Sequence, residues 1–142
     1  MKNQQYKLGL VSVSFRHHTQ EEILKAVKNT GLKCIEWGSD IHAPCEDVEK
    51  LEEIAFLQKK YGVTCSSYGT YFRLGETPIK ELYQYIRAAK ILGTDILRVW
   101  AGAKSGVEMT KEEIDNLLLN CRKATKLKDK LEFENHNFIS GY

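Results

Sequence analysis

Apolar positions along the chain switch repeatedly between a period of two and a period near 3.6. From Leu8 to Phe15, Val11, Val13 and Phe15 share one side while Ser12, Ser14 and Arg16 share the other, as in a strand with one buried face. Thr19 and Glu22 then have capping-box spacing, and Ile23, Leu24, Ala26 and Val27 give a helical apolar stripe that ends at Gly31. The alternation repeats. Lys33 to Trp37 is predicted as a second strand, with Ile35 and Trp37 opposed to Cys34 and Glu36, followed by a loop from Gly38 to Pro44 that carries Asp40 and His42. Asp47 is placed to cap a second helix, whose Val48, Leu51, Ile54, Ala55 and Tyr61 recur at helical spacing up to Gly62.

The third and fourth units follow the same plan. Val63 to Tyr68 is predicted as a strand, Gly69 to Gly75 as an aromatic loop, and Thr77-Pro78 as the opening of a helix that buries Ile79, Leu82, Ile86 and Ala89 before Gly93. Asp95 to Trp100 is a fourth strand. Arg98 in so apolar a run requires that Ile96, Arg98 and Trp100 face something other than a helix layer. A loop from Ala101 to Gly106 leads to a second capping box at Thr110 and Glu113, and to a helix with Ile114, Leu117, Leu118 and Cys121 on its core side. Leu131 to His136 is the fifth strand, with Glu132, Glu134 and His136 on one face and Leu131 and Phe133 on the other. Strand starts near residues 8, 33, 63, 95 and 131 give βα units of a length that implies parallel pairing. With no linker or composition shift, residues 1–142 are expected to form a single α/β domain.

Composition narrows the function without naming it. A net charge of +2, with lysines and glutamates interspersed, supplies no nucleic-acid surface. No apolar run approaches the roughly 20 residues of a membrane span, and the opening residues carry no signal-peptide core, so the expected location is cytoplasmic. Cys34, Cys45, Cys65 and Cys121 lie 11, 20 and 56 positions apart, without the close pairs of a structural zinc site, and read as reduced core residues. The chain has no glycine-rich dinucleotide or phosphate loop, no nucleophile elbow and no His-Glu-x-x-His pair, which disfavours dinucleotide enzymes, nucleotide hydrolases, serine hydrolases and zincins.

In parallel α/β folds ligand-binding groups gather at the carboxyl ends of the strands. The candidates there are Arg16 and His17 after strand one, Glu36 and His42 around strand two, Tyr68 and Tyr71 around strand three, Arg98 and Trp100 on strand four, and Glu134 and His136 on strand five. Arginines, carboxylates, imidazoles and aromatics suit a small polar ligand, an anionic one included. Arg98 also has a structural option, an ion pair with Glu36 or Glu134.

The segments Ser14-Phe-Arg-His17, Ile35-Glu-Trp-Gly38, Asp40-Ile-His-Ala-Pro44, Ser67 through Gly75, Leu97-Arg-Val-Trp-Ala-Gly102 and Phe133 to His136 resemble, in this order, the xylose isomerase-like TIM barrels of the sugar phosphate isomerase/epimerase group. The resemblance implies a partial (β/α)8 barrel and metal-assisted proton transfer next to a carbonyl. It makes Glu134 the catalytic acid/base and a ligand, with His136, of a divalent metal (Mn, Mg, Co or Zn). Arg16, His42, Tyr68, Arg98 and Trp100, late in or just after the strands, are the expected contacts to a small sugar or sugar phosphate.

A closed barrel of this kind needs about 250 residues. The 142-residue sequence stops after the fifth predicted strand, so the expectation is a truncated or degenerate product, a fragment completed by another chain, or an open sheet stabilised by self-association. Association is favoured, and activity of the chain alone is in doubt for want of strands six to eight. The alternatives are a non-catalytic half-barrel binding or interaction module, an apurinic endonuclease-like DNA repair protein, disfavoured by only four histidines and the near-neutral charge, and an open doubly wound sheet.

Overall fold

A computed structural model describes residues 6–130 and 137–141, with side chains for residues 6–127. Four parallel strands alternate with four helices: β1 (Gly9–Val11), α1 (Gln20–Asn29), β2 (Cys34–Gly38), α2 (Val48–Tyr61), β3 (Thr64–Arg73), α3 (Leu82–Leu92), β4 (Ile96–Trp100) and α4 (Lys111–Lys130). A fifth strand, β5 (Asn137–Gly141), pairs in parallel with β4. Strand order in the sheet is β1-β2-β3-β4-β5, the same as the order in the chain. A doubly wound sheet reverses its strand order partway across, whereas a sheet wound in one direction is the beginning of a barrel. The fold is therefore a partial TIM barrel, and the open doubly wound alternative is set aside.

The helix boundaries follow from local chemistry. At α1 the Glu22 amide donates to the Thr19 hydroxyl while the Thr19 amide donates to the Glu22 carboxylate, and Thr110 and Glu113 repeat the exchange at α4. Asp47 accepts the Lys50 amide at the start of α2. Gly62 and Gly93 end α2 and α3 in left-handed backbone, where a side chain would be strained.

The core lies between the sheet and α1, α2 and α3. Leu24, Leu51, Ile54, Leu82 and Ile86 pack from the helices, and Ile35, Trp37, Tyr68, Phe72, Leu97 and Val99 from the strands, all 2% exposed or less. Burying each such side chain contributes roughly 1.5–3 kcal/mol. The opposite side of β2, β3 and β4 carries Glu36, Ser67, Arg98 and Trp100, all half-buried. That side is the inward, concave one in a barrel.

Several expected boundaries move. The first run is only three residues of strand, and Ser12–Phe15 closes into a 3-10 turn in which the buried Ser12 hydroxyl accepts the Gly38 amide. The expected aromatic loop after Tyr68 is strand, because β3 continues to Arg73 and pairs with β4 up to Trp100. Thr77-Pro78 precedes a 3-10 turn, Ile79–Glu81, and α3 begins at Leu82. On α4, Leu118 is exposed rather than core-facing, while Leu117 and Cys121 pack against the core. The expected fifth strand at Leu131–His136 lies outside the described residues. The paired segment begins after it, with Asn137 beside Ile96, the first residue of β4.

Candidate functional site

On the concave side the dominant group is an ion pair between two strands that are not adjacent in the sheet. Nε and Nη2 of Arg98 on β4 both donate to Oε1 of Glu36 on β2, at 3.1 and 2.9 Å, and the Ser67 hydroxyl donates to Oε2 at 2.6 Å. These strands are separated by β3, so the pair has to cross it. Gly69 allows the crossing: a Cβ there would stand 2.6 Å from Arg98 Nη2 and 2.9 Å from Glu36 Oε1. The carboxylate is satisfied by three donors and the guanidinium holds its charge partner in place, so the group is rigid and electrically balanced. The structural option foreseen for Arg98 is realised with Glu36.

Above this group, at the strands' carboxyl ends, Trp100 forms a platform. Its Nε1 donates to the Thr70 carbonyl at 3.0 Å, and the Thr70 hydroxyl donates to the Arg98 carbonyl at 2.7 Å, which fixes the indole against the sheet. Arg98 and Arg73 both stack on the indole, with guanidinium carbons 5.9 and 5.2 Å from its centroid. At the rim beyond β1 and β2, Arg16 donates to Asp40 in a close ion pair, and the Tyr71 hydroxyl lies 3.4 Å from both. Burial is the largest single influence on Asp40 and works against its ionisation, but the Arg16 hydrogen bond, the Ile41 backbone hydrogen bond and the Arg16 charge together outweigh it and hold the carboxyl below its ordinary range.

Two expected ligand contacts are elsewhere. Tyr68 is fully buried on the helix side, where its hydroxyl donates to the Ala43 carbonyl at 2.5 Å and burial raises its pKa far above the ordinary phenol value. The cause is a bulge: Ile35 pairs with Cys65 but Glu36 pairs with Ser67, and the extra residue moves Tyr68 from the concave to the covered face. His42, 2% exposed, sits beside Trp37 with its Nε2 3.0 Å from the His18 carbonyl, and its own carbonyl accepts the Gln20 side chain. It ties the β2–α2 loop to the start of α1. Arg98, Trp100 and Arg73 thus form one group, Arg16 a second at the rim, and Tyr68 and His42 belong to the core.

The expected metal ligands and acid/base, Glu134 and His136, lie outside the described residues. Among the described residues no three His, Cys, Asp or Glu side chains cluster to hold a metal ion. The two concave-side carboxylates, Glu36 and Asp40, are each bound to an arginine that a cation would have to displace. These two therefore do not fit a metal. Arg73 is a site residue that the sequence alone does not single out; its place as the last residue of β3, in register with Trp100, puts it at the site.

No protein-family model matches the sequence, and neither does any curated protein. Solved structures do match. The probable 3-DHS dehydratase AsbF involved in petrobactin synthesis from Bacillus anthracis superposes with a TM-score of 0.79 at 19% identity, over 95% of this chain and 52% of that one. A xylose isomerase domain protein from Alicyclobacillus acidocaldarius gives 0.70 at 13% identity, over 93% and 49%. A xylose isomerase domain containing protein from Salmonella typhimurium gives 0.63 at 16% identity, over 87% and 48%. At such identities the likeness concerns the fold, and the chain spans about half the length of the structures it matches. By sheet order, by the polar inner side of its strands and by these superpositions, this chain has the fold of part of a xylose isomerase-like TIM barrel.

Proposed function

We propose that the chain contributes strands β1 to β5 of a site that moves a proton next to the carbonyl of a small hydroxylated compound, as a sugar or sugar phosphate isomerase or epimerase does. The observation that carries this is the Glu36–Arg98–Trp100 group: hydrogen-bonded polar side chains and an indole face on the concave side of the strands, where barrels of this architecture do their chemistry. Indole faces stack on the C–H faces of sugar rings, and an arginine already neutralised by a carboxylate donates to hydroxyl and carbonyl oxygens without demanding a second anion. The three named likenesses to dehydratase and isomerase-domain proteins support the same class, since dehydration next to a carbonyl and isomerisation both begin with removal of a proton from the adjacent carbon.

In this proposal Glu134 is the acid/base and, with His136, contributes ligands for a divalent cation whose other ligands come from strands beyond this chain. A cation of that kind supplies polarisation of the substrate carbonyl when bound. Arg98 and Trp100 orient the substrate, and Arg16, held by Asp40, lines the rim. The proposed partner is a second copy or a completing chain, and the proposed setting is the cytoplasm. Among the described residues no helix is long and apolar enough to cross a membrane.

The test is proton exchange. The chain is incubated with a panel of aldoses, ketoses and their phosphates in deuterated water with manganese, and label at the carbon next to the carbonyl is followed by proton NMR. Label that appears with the parent chain and is lost in Glu134→Gln supports the proposal. Label that persists in Glu134→Gln removes Glu134 from the chemistry. No exchange with any panel member, while a ligand still binds, favours a binding module.

A further inference from the structure

We infer that Arg73 anchors an anionic group of the ligand, a carboxylate or a phosphate, in the cavity beyond the carboxyl ends of β3 and β4. The inference rests on the concave side being a ligand site and is independent of whether the chain catalyses anything.

The cavity has a volume of about 550 Å³ and is lined by Arg73, Trp100, the loop from Ala101 to Gly106, Met109 and Leu117. That is room for a small sugar or sugar acid. Three arginines serve this side of the sheet, and their charges are treated differently. Arg98 is paired with Glu36 and Arg16 with Asp40. Arg73 has no carboxylate partner among the described residues: it stacks on Trp100, and its Nη1 donates to the Gly102 carbonyl at 3.2 Å.

These two contacts orient the guanidinium without neutralising it, which leaves further N–H groups and a full positive charge at the wall of the cavity. The other polar side chains on the wall are committed. Lys104 donates to Glu113 at 2.5 Å, and the Ser105 hydroxyl donates to Glu108 at 3.1 Å. A cation held against an aromatic face, partly removed from water and without a carboxylate partner among the described residues, is what a planar or tetrahedral oxyanion would bind in a forked geometry. The Trp100 face beside it takes the apolar side of the same ligand, so charge and ring are recognised by adjacent groups.

The experiment titrates three probes into the full chain by calorimetry: D-ribose 5-phosphate, D-gluconate and uncharged D-ribose. One anion is expected to bind about tenfold or more tightly than ribose, and which one tells phosphate from carboxylate. Arg73→Gln is expected to abolish the preference for that anion over ribose, whereas Lys104→Gln changes the anion's affinity by less than about threefold, its charge being already paired with Glu113. Should Arg73→Gln fail to fold, the parent chain still decides: Trp100 fluorescence is expected to respond to the anion, with the response retained in Trp37→Phe and lost in Trp100→Phe.

Equal affinity for all three probes, no binding of either anion, or unchanged anion binding in a folded Arg73→Gln would overturn the inference. Anion binding through Arg73 with no proton exchange leaves the anchor standing while removing the proposed reaction. Exchange on uncharged sugars with no dependence on Arg73 does the reverse.

Discussion

The two faces of one sheet follow opposite rules here. On the side covered by helices, most described polar side chains are closed off within the protein, His42 Nδ1 being an exception: the Trp37 indole donates to Gln58, Gln58 in turn donates to the Leu92 carbonyl, and the Tyr68 hydroxyl donates to the Ala43 carbonyl. On the concave side the polar groups are charged, half-buried and arranged around an indole and a cavity. Both faces carry a tryptophan, so residue type does not separate them. The difference lies in where the hydrogen bonds end. A face whose polar groups mostly satisfy one another is built for stability, and a face where an arginine has no carboxylate partner among the described residues is suited to meeting something from outside.

Substitutions on the two faces should therefore differ in what they damage. The largest loss of stability is expected from Phe72→Ala, which opens a cavity under a side chain only 1% exposed, at about 3–5 kcal/mol in urea unfolding. A smaller loss, about 2 kcal/mol, is expected from Glu36→Ala, which strands the Arg98 charge in a half-buried site, and Glu36→Ala with Arg98→Met should recover part of it. Loss beyond that of Phe72→Ala would mean the concave group is structural first. Tyr68→Phe leaves the Ala43 carbonyl unpaired and should cost about 1 kcal/mol while leaving ligand binding untouched, consistent with Tyr68 serving the core.

Alkaline pH gives a finer probe of the covered face. Burial pushes the Cys65 thiol up to about 12, that of Cys45 to about 11, and the Tyr68 phenol higher still. Unfolded, these groups release their protons at ordinary values, so above roughly pH 8.5 the unfolded chain binds fewer protons than the folded one and stability must fall as pH rises. Chemical unfolding at pH 7, 9 and 10 measures it, and Cys65→Ala should flatten the slope. The smallest effect is expected from Arg16→Ala at the solvent-exposed rim, with an unfolding midpoint indistinguishable from the parent.

Periodicity and capping made the architecture legible. The βα repeat, the Thr19 and Thr110 caps and the placement of Ile96, Arg98 and Trp100 away from the helices all follow from local rules, and the structure bears them out. What local rules missed depends on partners distant in the chain. Gly69 reads as a loop signal, yet it stays in strand because a residue without Cβ is what the Arg98–Glu36 crossing requires. Tyr68 is a candidate by its place at a strand end alone, and a strand-end position does not say which face a side chain takes once a one-residue bulge against β2 intervenes. Arg73 is missed because a strand ending at Tyr68 leaves the later arginine in a loop, when it is the residue paired with Trp100. His42 beside a strand end looked like a ligand group; its burial against Trp37 follows from a loop path that no spacing rule specifies.

The most direct test of the two-faced sheet uses its two tryptophans as reporters. In a nitrogen–proton correlation spectrum each indole N–H gives one signal, Trp37 from the covered face and Trp100 from the concave one. Titrating D-ribose 5-phosphate or D-gluconate is predicted to shift the Trp100 signal, together with Gly69 and Gly102, and to leave Trp37 where it was. Shifts centred on Trp37 with Trp100 unmoved would contradict the account.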